Sequence, residues 1–78
     1  MIEKISHVIN TWDPARLMSH APDDEYTFEV MKIYEFLQKE KDPHKLAYEI
    51  KNIFNQTFGD EINYDLKTYL EVAHQILS

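Results

Sequence analysis

One glycine in seventy-eight residues is the strongest constraint on what this chain can fold into. An all-β domain needs frequent turns, and the tight ones are built around glycine. Gly59 and three prolines, at 14, 22 and 43, cannot supply them. Helices need few breakers, so the chain is expected to be helical almost throughout. Its length allows one domain, residues 1–78. A chain this short buries only about 60–65% of its unfolded surface. It has no cysteine for a disulfide or a thiolate metal site. Four Phe, five Tyr and one Trp are therefore the means of stabilising a small core.

The apolar residues recur at helical spacing. Ile2, Ile5, Val8, Ile9 and Trp12 predict a first helix over 2–12. Asp13-Pro14 stops it, because the residue before a proline is pushed out of the α region. Asp13 can then cap a new short turn through Ala15, Arg16, Leu17 and Met18. A second helix is expected from about Pro22 to Glu40, capped by Asp23, with Tyr26, Val30, Ile33 and Leu37 as its stripe. Asp42-Pro43 repeats the cap-then-proline signature and opens a third helix with stripe Leu46, Ile50, Ile53, Phe54 and Phe58. Gly59 stands where a helix end wants a left-handed residue. The fourth helix carries Leu66, Tyr69, Leu70, Ala73, Ile76 and Leu77, with Asp60 or Asn63 as its cap. The expected fold is all-α: a small four-helix antiparallel bundle with an extra short helical turn between helices 1 and 2.

Up-down-up-down order places the end of helix 1, the starts of helices 2 and 4, and Gly59 at one pole. That pole collects Asp13, Asp23, Asp24, Glu25, Glu29, Asp60, Glu61 and Asp65, while Lys39, Lys41 and Lys45 fall at the other. Acids at helix N-termini serve capping and the helix dipole. Eight of them exceed what two caps need, which leaves open an acidic pole that meets a basic partner. Two aromatics in this region read as core plugs: Trp12 at the end of helix 1, and Tyr26, whose hydroxyl has Asp13 or a loop carbonyl within reach.

Helix 2 has a second apolar side. Phe28 and Met31 fall opposite its main stripe, and Tyr48 falls opposite that of helix 3. Such a face is central in the fold or used at an interface. Cover by Leu17 and Met18 within the chain is the expectation, with a monomer favoured over a homodimer.

Catalytic signatures are missing. Ser6, Ser19, Thr57 and Thr68 lie in no nucleophile-elbow context, and one glycine cannot build a phosphate loop. The four histidines, His7, His20, His44 and His74, include no helical i, i+4 zinc pair. No enzyme activity and no cofactor are expected. Net charge −6, with a single Arg, disfavours nucleic acid as a partner. No segment approaches the roughly 18 apolar residues of a membrane span, and the N-terminus lacks signal-peptide character, so a cytoplasmic location is expected.

Trp12-Asp13-Pro14, then Ala21-Pro22-Asp23-Asp24-Glu25-Tyr26, then Glu29 and Ile33, resembles a family of small bacterial proteins, mainly from Firmicutes, catalogued as a domain of unknown function with a W-D-P and P-x-D-E-Y pattern. The resemblance spans essentially the whole chain. It implies an all-helical cytoplasmic protein and brings no activity, cofactor or catalytic residue with it. Similar combinations in contact-dependent immunity-like small proteins keep that class in view. Two functions follow as expectations. The first is a non-catalytic module that binds another protein, in one version an immunity or antitoxin-like inhibitor of a basic enzyme. The alternative is a metal- or small-ligand-binding domain that uses His20 with Asp23 and Asp24.

Overall fold

The computed structural model describes residues 1–16, 26–59, 62 and 64–78. Among them are four helices and no strand: α1 (Ile2–Trp12), α2 (Thr27–Leu37), α3 (Pro43–Phe58) and α4 (Leu66–Leu77). Each helix packs on its neighbours in sequence, and α1 closes the ring on α4. Among the described residues the backbones of the diagonal pairs α1–α3 and α2–α4 do not come within 8 Å, Cα to Cα. This is the ring of a small bundle, as the helical periods imply.

The predicted stripes form the core. Ile5, Val8 and Ile9 of α1, Val30, Ile33 and Leu37 of α2, Leu46, Ile50, Ile53 and Phe54 of α3, and Tyr69, Ala73 and Ile76 of α4 are all buried. Tyr26 and Ile62, outside the helices, join them. Leu66 departs from its stripe: it is the first residue of α4 and stands exposed, while Val72 takes a core position instead.

Helix ends explain the breaks. Asp42 caps α3 by accepting the His44 backbone N–H at 3.0 Å, with Pro43 at the first helical position. α2 stops at Leu37, short of Glu40. Beyond it the chain tightens, with Gln38 N–H bonded to the Glu35 carbonyl and Lys39 N–H to that of Phe36. Neither Asp60 nor Asn63 is the cap of α4. That role falls to Asp65, whose carboxylate accepts from the Thr68 backbone N–H at 3.1 Å and from its hydroxyl at 2.8 Å. Gly59 ends α3 at positive φ, as expected, but with φ 65° and ψ −144° it is not in the left-handed helical well. This mirror-extended region is nearly exclusive to glycine.

The largest correction concerns Asp13. It does not cap a following helical turn. It terminates α1 in the left-handed conformation, φ 49° and ψ 61°, with its N–H bonded to the Ile9 carbonyl at 2.8 Å. Pro14 excludes the right-handed α region for Asp13, and aspartate tolerates the left-handed one better than most residues. Residues 13–16 then close a turn through Arg16 N–H to the Asp13 carbonyl, 3.0 Å. Pro14 occupies the second turn position, where its fixed φ fits. Arg16, at φ 58°, prevents the turn from continuing as helix. Leu17 and Met18 of the expected turn, and Pro22 and Asp23 at the expected start of helix 2, lie outside the described residues.

Candidate functional site

The end of α1, the start of α2, the end of α3 and the start of α4 meet at one pole, and aromatic rings define it. The Trp12 indole lies edge-on to Phe54 (5.6 Å between centroids, 78°) and to Tyr69 (5.7 Å, 86°), and tilted against Tyr64 (5.4 Å). Tyr26 meets Phe54 at 6.0 Å and Phe58 at 6.2 Å, and those two phenylalanines stack at 5.9 Å. Edge-to-face pairs of this kind add about 0.5–1.5 kcal/mol each beyond the area they bury. Trp12 is therefore a core plug, as its place at a helix end suggests.

Hydrogen bonds tie the turn at residues 13–16 into this cluster. The Tyr26 hydroxyl donates to Asp13 Oδ1 at 2.7 Å and accepts the Ala15 backbone N–H at 3.0 Å. From the far end of the sequence, the Tyr64 hydroxyl donates to the Pro14 carbonyl at 2.9 Å. Pro14 itself is buried. Tyr69 is fully buried, and burial pushes its phenol above the usual range.

Of the acids assigned to this pole, the structure describes three. Asp13 is bonded to Tyr26, and Asp65 caps α4. Glu29 is not a surface acid: it is only 2% exposed. Its Oε1 is buried without a hydrogen-bond partner among the described residues. Its position gives the reason. Glu29 stands three residues after Tyr26 and four before Ile33, on the inward stripe of α2. Asp23, Asp24, Glu25, Asp60 and Glu61 lie outside the described residues, as does His20 of the alternative metal reading. Among the described residues no group of three or more His, Asp or Glu side chains is placed to hold a metal ion. At the opposite pole, Lys45 pairs with Glu40 at 3.0 Å, which lowers the Glu40 pKa and raises that of Lys45.

The apolar candidates stand in solvent. Phe28 is 60% exposed, Met31 43% and Tyr48 55%. Leu17 and Met18, expected to cover Phe28 and Met31, lie outside the described residues. Lys32 Nζ sits 5.2 Å from the Phe28 ring centre and shields only one face. Met31 also lines an open cleft of about 360 Å³ between α1 and α2, with Ile2, Glu3, Ser6, Thr27 and Val30. Periodicity alone could not show this cleft, since it depends on how α1 crosses α2. Tyr48 stands on a different helix, α3. Phe36 and Glu49 share one groove between α2 and α3.

These features define a small all-α bundle with an aromatic pole and an exposed apolar face on α2. The chain belongs to the family described as Domain of unknown function (DUF1871), whose model matches residues 4–78. No curated protein and no solved structure matches it. No helix among the described residues is long and apolar enough to cross a membrane.

Proposed function

We propose that this protein is a non-catalytic interaction module that binds another protein through the outer face of α2. The observation that carries this reading is the exposure of Phe28 and Met31 beside the α1–α2 cleft. A chain of 78 residues has little apolar area to spare from its core. Two large apolar side chains left next to an apolar-walled cleft offer the buried centre of an interface. The acidic pole is the weaker candidate, because Asp13 and Asp65 are engaged within the chain and Glu29 is buried. Any acidic contribution comes from Asp23, Asp24, Glu25, Asp60 and Glu61, and would favour a basic partner, as in an immunity or antitoxin-like inhibitor. The protein acts, on this reading, in the cytoplasm, as a monomer, and without nucleic acid, a membrane or a cofactor.

The test is retention of proteins from a bacterial lysate by the immobilised chain, comparing wild type, a Phe28→Ser/Met31→Ser double variant and Tyr48→Ser. A protein held by wild type and by Tyr48→Ser, but released by the double variant, is the expected result. Equal retention by all three, or retention abolished by high salt alone, contradicts the apolar-face reading.

A further inference from the structure

A second site lies at the aromatic pole, away from the α2 face, and its chemistry differs. Pro14, Ala15, Arg16, Ile62 and Tyr64 line a recess of about 270 Å³. Arg16 is the only arginine of the chain, exposed, and in no ion pair or hydrogen bond through its side chain among the described residues. Its backbone is held at φ 58°, a conformation that costs an L-residue with a long side chain roughly 1–2 kcal/mol. Strain of this kind persists only where the surroundings impose it, and here they do. Tyr26 grips Asp13 and Ala15, Tyr64 grips Pro14, and the Arg16 N–H closes the turn on the Asp13 carbonyl. The residues before Arg16 are thus fixed by Tyr26, which precedes α2, and by the α3–α4 connection.

We propose that this recess binds a carboxylate, with Arg16 as its cationic partner. A guanidinium presents a planar fork of N–H donors that matches a carboxylate in two parallel hydrogen bonds. The fixed turn anchors the arginine backbone beside the recess. Tyr64 and the largely buried Ile62 border the recess beside Arg16. Net charge −6 selects among anions: it opposes a phosphate dianion more than a monoanionic carboxylate. The carboxylate can belong to a free small acid or to the C-terminus of a peptide, and the two bind by the same chemistry.

Chemical-shift titration of the full chain, following the Arg16 Nε–Hε and the Ala15 and Tyr64 amide signals, tests this. The probes are sodium acetate, tri-alanine as its free acid, tri-alanine amide and inorganic phosphate, each against sodium chloride at equal ionic strength. Acetate and tri-alanine acid are expected to shift these signals with saturation on the order of millimolar concentrations, as an exposed Arg–carboxylate pair allows. The amide is expected to leave them in place. Tri-alanine acid binding tenfold tighter than acetate assigns the site to peptide C-termini, and equal binding assigns it to small acids. Arg16→Gln is expected to abolish the response and Arg16→Lys to weaken it at least fivefold. No saturable shift in wild type, a response to phosphate alone, or an undiminished response in Arg16→Gln overturns the proposal.

Discussion

The Tyr26 hydroxyl donates to Asp13 Oδ1 at 2.7 Å, so the residue that ends α1 is bonded to the residue that precedes α2. Tyr26 is fully buried, and its oxygen also accepts the Ala15 N–H at 3.0 Å. One phenol thereby fixes both the stop of the first helix and the turn that follows it. The Trp-Asp-Pro motif and the distant Tyr26 act as one fastening, with Trp12 packed beneath it on Phe54, Tyr64 and Tyr69.

Gly59 should resist every replacement. A Cβ there would meet no atom within 4 Å, so crowding is not the obstacle. The obstacle is the backbone at φ 65° and ψ −144°. Gly59→Ala should lose about 1–3 kcal/mol in chemical denaturation. Gly59→Asn should do no better, although asparagine rescues ordinary left-handed helix ends. Full rescue by Asn would show that the conformation is the common left-handed one.

Burial separates the two sides of α2. Ile33→Ala should cost about 2–5 kcal/mol, as core truncations do, because Ile33 is fully buried. Phe28→Ser and Met31→Ser should each stay within about 0.5 kcal/mol of wild type. A large loss from either serine variant would mean that the face is covered in solution, by the chain itself or by a second copy. Sedimentation at two protein concentrations distinguishes those cases.

The Asp65 carboxyl should titrate below its ordinary value of 3.8, because the Thr68 hydroxyl and then its backbone N–H bond the charged form. A lowered folded pKa means that this contribution to stability is present above the ordinary carboxylate value. It is lost as pH falls through the lower folded value. Following the Asp65 carboxyl carbon by NMR checks it, and Thr68→Ala should move the midpoint upward. A wild-type midpoint at or above 3.8 would contradict the cap.

Arg16→Gly should leave stability unchanged or raise it by up to about 1 kcal/mol, since glycine adopts positive φ without steric penalty. Thermal melts at neutral pH read this out. A clear loss of stability would show that the arginine side chain packs for the fold and is not held for binding.

Much of this was legible in the chain. The stripes of α1 and α3, the Asp42-Pro43 cap and the meeting of four helix ends at one pole follow from spacing and breakers alone. The two-sided character of α2 was visible in Phe28 and Met31, and so was the reach of the Tyr26 hydroxyl to Asp13. Asp13 itself was ambiguous: aspartate suits both a helix N-cap and a left-handed helix end, and only the packing of Tyr26 decides between them. Three residues, Asp60, Asn63 and Asp65, compete as the cap of α4, and the Thr68 hydroxyl three residues after Asp65 is the sign that favours it. The burial of Glu29 was implied by its place between Tyr26 and Ile33, but its charge argued for the surface. Tyr64 gave no local sign of its role, since it bonds a carbonyl fifty residues earlier.

The fastening between Asp13 and Tyr26 is tested most directly by a double-mutant cycle in urea, with Asp13→Ala, Tyr26→Phe and the pair. Each single variant should lose about 1–3 kcal/mol, a large part of the 4–12 kcal/mol or so that a chain of this length commands. The coupling should be about 1–2 kcal/mol, because either change removes the same bond. Additive losses, with coupling near zero, would mean that the two residues stabilise the fold independently and that the motif is not one unit.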